Sequence, residues 1–326
     1  MEWHDYVFKN RDMLAKIELV IDGYGGQNSN LTRFIPLISK RAYQNIKIRK
    51  QKPLNVVPLV LNNFAYCLVS INTTIDVEMN GISLPMVKEL KMYLSDDCFQ
   101  ENGLLGSVSN LKVLHIAGNH PRPGKIVDCL EVNPYLVELV LENGTHESIK
   151  FMNSDFDFSL KILKLNRTNF QDHAEYKFLN FLLSQSNSLK ELKLLKCNTN
   201  LVKHVFERMP NLEKFSFSPP DTYCQRMIPI NIHLNITELS LILVPEFIMR
   251  NLLSNLPRLF KLYIATPNAN VFQFLIRNVP SLREFHFAYF EDHRVTLSTV
   301  IEFYKDCCED SRMIEDVNHN IKIFQI

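Results

Sequence analysis

A six-residue pattern of apolar positions recurs through the second half of the chain. Apolar residues occupy positions 1, 4 and 6 of each copy, and polar residues fill most of positions 2, 3 and 5. Five copies begin at Leu189, Leu212, Ile236, Leu259 and Leu282, so successive starts lie 23, 24, 23 and 23 residues apart. A repeat of this length predicts stacked units, each of which buries its apolar face against its neighbours.

The same pattern extends outward from these five copies toward both ends of the chain. The further copies begin at Leu14, Tyr43, Leu68, Val87, Leu111, Leu136, Leu160 and Ile321. Within each copy, positions 4 and 6 point to one face of a strand and position 5 points to the other, because side chains alternate along a strand. The sequence thus predicts about a dozen strand-forming repeats, which together cover residues 14–326.

Between the copies, the apolar residues change to helical spacing. Phe272, Leu275, Ile276 and Val279 stand at i, i+3, i+4 and i+7 of one such segment. Several segments end just before a proline, which disfavours helix in the preceding residue. Short strands that alternate with helices predict parallel strands on one side and helices on the other. The predicted fold is α/β, a curved solenoid (horseshoe) with a parallel concave sheet and convex helices.

The repeat units resemble leucine-rich repeats of the helix-containing, ribonuclease-inhibitor-like kind. Examples are Met-Pro-Asn-Leu-Glu-Lys-Phe-Ser-Phe, which ends at Phe217, and Leu-Pro-Arg-Leu-Phe-Lys-Leu-Tyr-Ile, which ends at Ile264. That family often carries a polar residue three positions past the pattern, and here Asn119, Thr168 and Cys197 occupy this position. The resemblance covers nearly the whole chain, and it implies the same solenoid that the periodicity predicts.

A second resemblance lies at the N-terminus. The segment Trp3–Ile21 resembles the end of an F-box and its linker, and Arg41–Ile48 resembles an early segment of F-box repeat proteins. The resemblance implies that residues 1–13 are a remnant of the last F-box helix and linker, followed by the leucine-rich-repeat domain at 14–326. The Leu-Pro and helical residues that open an F-box do not precede Trp3, so we expect the box to be truncated or missing from this chain.

The F-box resemblance implies a function in ubiquitin-dependent protein degradation. The repeats would form the substrate-binding part of an F-box-type subunit of a cullin (SCF-type) ubiquitin ligase. The ligase adaptor and the cullin would be partners only if a full F-box stood upstream. The alternative is a ligase-independent scaffold or inhibitor with the same fold, which binds a protein partner on its concave face.

The composition favours neither nucleic acid nor a membrane as a partner. The formal net charge is +1, from 36 basic and 35 acidic side chains, so no global field favours nucleic acid or an anionic membrane. The N-terminus lacks the basic start and apolar run of a signal peptide, and no apolar run reaches the roughly 18 residues that span a bilayer. The seven cysteines are scattered, which indicates a reducing compartment. We expect a protein of the cytoplasm or nucleus.

The sequence contains no recognisable catalytic, metal-binding or cofactor-binding motif. The segment Gly118–Lys125 has one residue too many for a phosphate-binding loop, and Ile126 replaces the Ser or Thr that would hold magnesium. The adjacent Cys307 and Cys308 are interpreted as packing residues, since free cysteine behaves as a small hydrophobe. We therefore expect a non-enzymatic protein without cofactors; an enzyme with a site on its loops is a further alternative.

Positions 3 and 5 of the repeats are expected to face solvent on the concave sheet. Position 3 alternates acid with base in the later repeats, which favours a role in sheet stability over one in binding. At position 5, Lys164 and Lys193 are expected to be neighbours, and adjacent like charges favour an acidic partner surface. The alternative is a solvated edge screened by salt. The predicted partner-binding residues are Lys161, Lys164, Arg167, Lys190, Lys193, Lys196, Tyr263 and His286.

Overall fold

The computed structural model describes residues 17–22, 43–49, 57–94, 100, 102–118, 123–142, 156–166, 172–197, 199–219, 231–265, 274–275, 278–288, 312–316 and 321–325. The chain divides into two compact units, Met1–Leu160 and Lys161–Ile326. The predicted F-box remnant at residues 1–13, Arg167 and the cysteine pair at 307 and 308 lie outside the described residues.

The first unit contains six strands that run parallel, each paired with the next in chain order. The strands are β1 (Glu18–Asp22), β2 (Asn45–Arg49), β3 (Ser70–Thr73), β4 (Glu89–Leu94), β5 (Val113–Gly118) and β6 (Glu138–Glu142). Between them lie the α-helices α1 (Val57–Phe64) and α2 (Pro123–Glu131) and a short 3₁₀ helix, Leu104–Ser107. This alternation follows from the change of apolar spacing along the sequence.

The core of the first unit lies on the side of the sheet that receives positions 4 and 6. Ile46, Ile71, Leu90 and Leu114, all at position 4, are at most 1% exposed. Thr73 is a polar residue at position 6 and is also fully buried. Its hydroxyl donates to the carbonyl of the residue two positions on (2.6 Å) and accepts from that residue's N–H, so its burial leaves no polar group unpaired.

The first repeat departs from its predicted register by two residues. In β1, Leu19 pairs with Ile46 and Ile21 pairs with Ile48, so these two residues occupy positions 4 and 6. The sequence pattern that begins at Leu14 had placed Ile17 and Leu19 there. A shift of two residues keeps the same side chains on the same face of a strand, so alternation alone does not distinguish the two registers. The observed register buries Ile21, which is 5% exposed, and leaves Ile17 at 37%.

The second unit contains six parallel strands and a C-terminal antiparallel pair. The parallel strands are β7 (Ile162–Leu165), β8 (Glu191–Leu194), β9 (Lys214–Phe217), β10 (Glu238–Leu241), β11 (Lys261–Ile264) and β12 (Glu284–Ala288). The antiparallel pair is β13 (Arg312–Asp316) and β14 (Ile321–Gln325), and the helices are α3 (Asp172–Ser184), α4 (Thr199–Arg208) and α5 (Glu246–Ser254). The parallel register joins position 3 of each repeat to position 3 of the next, for example Glu238 to Lys261.

The prediction of a last parallel repeat at Ile321 is wrong in direction. Strand β14 does form there, but it runs antiparallel to β12, with Phe324 opposite Phe285. Strand β13 then pairs antiparallel with β14. Apolar alternation carries no information about strand direction, because its period of two is the same in either sense. The antiparallel pair therefore follows the last parallel strand.

Helix stops and inter-repeat hydrogen bonds follow from particular residues. Helix α4 ends two residues before Pro210, and its apolar stripe, which includes Val205 and Phe206, is buried.

Three asparagines that directly precede position 1 connect successive repeats by hydrogen bonds. They donate to carbonyl oxygens of the preceding repeat: Asn110 to Pro85 (2.9 Å), Asn211 to Asn187 (2.9 Å) and Asn235 to Pro210 (2.6 Å). These bonds supply part of the nearest-neighbour coupling on which a stacked-repeat protein depends.

The α/β class with parallel strands in each unit is confirmed. Strand, helix and register repeat as in a solenoid of the leucine-rich-repeat type. In both units the residues at positions 3 and 5 lie on the face opposite the core. In the second unit this solvent face carries four of the residues predicted to bind a partner, namely Lys164, Lys193, Tyr263 and His286.

Candidate protein-binding surface

The solvent face of β7–β12 presents two parallel columns of side chains. Position 3 contributes one residue per strand to the first column, and position 5 contributes one residue per strand to the second. The position-3 column contains Ile162, Glu191, Lys214, Glu238, Lys261 and Glu284, and the position-5 column contains Lys164, Lys193, Ser216, Ser240, Tyr263 and His286. The two columns differ in how their polar groups are paired.

From β9 to β12, the position-3 column is neutralised by ion pairs between its own residues. The Lys214 ammonium lies 2.7 Å from a Glu238 carboxylate oxygen, and the Lys261 ammonium lies 3.1 Å from Glu284. The hydrogen bond from Lys261 holds the pKa of Glu284 below its usual value, and the bond to Glu238 raises the pKa of Lys214. Each pair joins neighbouring strands, so the alternation of acid and base links successive repeats.

The predicted adjacency of Lys164 and Lys193 is confirmed, because the two residues are register partners in β7 and β8. Their charges are not equally available. The ammonium of Lys164 lies 2.7 Å from Glu191, whereas no ion pair joins Lys193 to any residue that the structure describes. Position 5 therefore presents one paired and one unpaired lysine side by side.

The lysines at position 2 of the same two repeats, just before β7 and β8, also differ in whether they form an ion pair. Lys190 pairs with Glu213 of the next repeat, so Glu191 is not the only acidic residue that offsets these basic strands. Lys161 is exposed and has no ion pair within the described part of the chain, and its carbonyl accepts from the Lys190 N–H (2.8 Å). Lys196 follows β8 in the left-handed region, at φ 61°. Of the predicted basic strip, Lys161 and Lys193 thus contribute unpaired charge.

The position-5 column continues from Lys193 through two serines to Tyr263. Ser216, Ser240 and Tyr263 are successive register partners, and all are partly exposed. Burial raises the pKa of Tyr263. No hydrogen bond connects the three hydroxyl groups to other residues of the described ranges. Tyr263 was predicted as a binding residue and the two serines were not, since small polar residues are common on any solvent face.

His286 is the last residue of the position-5 column, and its imidazole contacts the carboxylate of Glu284. Its Nε2 atom lies 3.3 Å from a carboxylate oxygen of Glu284, which also receives Lys261. His286 is the register partner of Tyr263. Among the described residues, the polar side chains of this column that have no partner are therefore Lys193, Ser216, Ser240 and Tyr263.

The solvent face of the first unit carries a separate cluster that the sequence analysis did not identify. The Tyr93 hydroxyl lies 3.4 Å from Nδ1 of His115, and the two rings meet edge to face at 4.9 Å. Nε2 of His115 is 3.9 Å from Glu142, beyond hydrogen-bond distance. Burial is the main cause that lowers the pKa of His115, and the nearby Glu142 carboxylate opposes this shift. The cluster holds the imidazole of His115 against the ring of Tyr93.

Neither face shows a metal centre in the described residues, where no group of three or more His, Cys, Asp or Glu side chains converges. Within the same ranges, no helix is both long and apolar enough to cross a membrane. No protein-family model matches the chain, and no curated protein matches it significantly.

Proposed function

We propose that this protein is a recognition module that binds a protein partner through the solvent face of β7–β12. The observation that carries the proposal is the unpaired Lys193 beside Lys164 at position 5. Glutamates offset the neighbouring lysines at positions 2 and 5, yet none pairs with Lys193 among the described residues. Directly opposed like charges destabilise a sheet. An acidic partner would offset this cost on binding.

The finer form of the proposal places the module in a ubiquitin ligase of the SCF type, as the substrate-binding part of an F-box-type subunit. The resemblance of Trp3–Ile21 to the end of an F-box supports it, together with a solenoid fold suited to a large recognition surface. In this form the protein acts in the cytoplasm or nucleus, where scattered free cysteines stay reduced. The alternative is a scaffold or inhibitor that uses the same face without a ligase.

A charge reversal at Lys193 tests the binding face. Lys193→Glu replaces a repulsive neighbour of Lys164 with an attractive one, so stability is expected to stay equal or rise by a few tenths of a kcal/mol. Binding to an acidic partner is expected to fall, since attraction becomes repulsion. The matched control is Lys177→Glu, the same charge change at an exposed position of α3.

The readout is quantitative mass spectrometry of proteins retained from native cell extract, with thermal melts of each variant. Proteins retained by the wild type and by Lys177→Glu but lost with Lys193→Glu support the proposal. If the retained set is the same for all three, the solvent face of β7–β12 is not the binding face.

The ligase form is tested separately, with this chain and with a form extended upstream by a complete F-box. Adaptor and cullin recovered with the extended form, together with partners that depend on Lys193, support a substrate receptor. The same partners recovered by both forms without adaptor or cullin favour the scaffold.

A further inference from the structure

We infer that the position-5 column from Lys193 to Tyr263 binds an extended acidic segment of the partner, with an apolar or aromatic residue four residues from a carboxylate. The inference rests on the proposed function and specifies the chemistry of the partner. We call these four residues, Lys193, Ser216, Ser240 and Tyr263, the open column.

The open column differs from the position-3 column in whether its polar groups have ion-pair or hydrogen-bond partners. On β9–β12, each charged residue of position 3 belongs to an ion pair with an adjacent strand. On β8–β11, the ammonium of Lys193 and three hydroxyl groups have no partner within the described ranges. Four successive strands therefore offer unused hydrogen-bonding groups in one line, which a single bound segment can satisfy.

Side-chain size gives the open column a shallow trough. Ser216 and Ser240 are the smallest residues of the position-5 column in this unit, and they lie between Lys193 and Tyr263. The Lys214–Glu238 ion pair runs beside the two serines on the same strands. A peptide backbone fits at the serines, because their hydroxyls can both donate to carbonyls and accept from N–H groups.

The strand spacing sets the spacing of the two anchors. Lys193 and Tyr263 are three strands apart, which at about 4.8 Å per strand gives about 14 Å. An extended chain advances about 3.3 Å per residue, so the two anchors lie about four residues apart along the peptide. An even separation puts both side chains on the same face of an extended segment. A carboxylate then reaches Lys193 while an apolar side chain packs on the ring of Tyr263.

The test is a selection of random 12-residue peptides, displayed on phage, against the full chain. Enriched peptides are expected to carry Asp or Glu four residues from an aromatic or aliphatic residue. Synthetic versions, labelled for fluorescence anisotropy, are expected to bind about tenfold more weakly to Lys193→Glu, because one surface attraction is lost and a repulsion is added. A similar loss is expected for Ser240→Tyr, which fills the trough.

Two control variants keep the same chemical changes away from the open column. Lys177→Glu reverses a charge on α3, and Ser254→Tyr enlarges a serine at the exposed end of α5. Both are expected to bind the peptides within about twofold of the wild type. Thermal melts of all four variants show whether each remains folded.

The inference is overturned if enriched peptides lack the acidic residue or the four-residue spacing, or if the controls lose binding as much as the open-column variants. If Lys193→Glu still abolishes capture of a protein from extract in that case, the proposed function stands and only the extended-segment inference is wrong. If Lys193→Glu changes neither assay, both are wrong.

Discussion

Gly118 provides the sharpest test of how the first unit is packed. It ends β5 with φ +122°, and a Cβ atom built there would lie 1.7 Å from the carbonyl oxygen of Leu94 on β4. Lys196 and Leu243 occupy the same place in their repeats, two residues past position 6, and they also have positive φ (61° and 54°). Side chains are therefore tolerated at this place in the repeat when φ is near 60°. At 118, both the φ of +122° and the close approach to Leu94 favour glycine.

Gly118→Ala combines two penalties that can be estimated separately. Left-handed backbone costs an L-residue roughly 1–2 kcal/mol. Forcing a methyl group against a fixed backbone oxygen adds roughly 1–3 kcal/mol, as overpacking does elsewhere. Together these predict a loss of about 3 kcal/mol. Strands β4 and β5 would have to separate at Leu94 to reduce it.

Three other glycines of the same unit separate the two penalties. Gly81 has φ +82° with no atom within 4 Å of a built Cβ, so Gly81→Ala measures backbone strain alone, about 1 kcal/mol. Gly103 has no such φ, but its Cβ would overlap the buried carboxylate of Asp76, so Gly103→Ala measures overlap alone. Gly124 in α2 has neither constraint, and Gly124→Ala is expected to stabilise by about 0.5 kcal/mol.

Urea unfolding followed by circular dichroism measures the series. The expected order of transition midpoints is Gly124→Ala above the wild type, then Gly81→Ala and Gly103→Ala below it, and Gly118→Ala lowest. A change of midpoint without a change of slope identifies a change of stability. A midpoint for Gly118→Ala that equals that of Gly81→Ala would refute the reasoning, because the contact with Leu94 would then cost nothing.

Further predictions concern three polar residues. His233 is buried and burial lowers its pKa, so the unfolded chain takes up the proton first and stability falls as pH drops below about 6.5; His233→Leu should reduce that fall in melts between pH 8 and 5. Lys214→Glu places glutamates opposite both Glu191 and Glu238 and should cost about 1 kcal/mol in urea, with partial recovery on adding Glu238→Lys. Asp76→Ala leaves three backbone N–H donors without their acceptor and should cost about 2–4 kcal/mol by the same assay, whereas Asp76→Asn should cost less.

The repeat pattern predicts burial well because burial depends on which face a residue occupies. Positions 4 and 6 are inward in the described strands from β2 to β11, and the pattern identified these positions without knowing the helices. The two errors lie at the ends. Both the two-residue shift of β1 and the reversed direction of β14 preserve the alternation of faces, so they leave no trace in the apolar pattern. The register of β1 and the direction of β14 are decided by how each strand pairs with its neighbour.

The sequence predicts which residues are neighbours on adjacent strands better than it predicts which polar side chains pair with each other. The repeat length alone places Lys164 beside Lys193, because parallel strands in constant register keep position 5 in one column. It does not reveal that Lys190 reaches forward to Glu213 in the next repeat, since side-chain reach and rotamer decide that contact. The same limit applies to His233, whose ring donates to the Met209 carbonyl at a position that is apolar in the neighbouring repeats.

If the proposed function is right, the two columns of the second unit divide stability from recognition on the same strands. An ion pair at position 3 joins two repeats, so a substitution there changes the interface on which the stacked fold depends. The open column makes no such pair within the described ranges, so a substitution there removes no ion pair between the described repeats. Lys193 is the point where this division can be measured, because Lys193→Glu should leave the melt unchanged or improved while it weakens binding. If reversing the charge of Lys193 raises stability but weakens binding, the lysine at this position is explained by the partner and not by the fold.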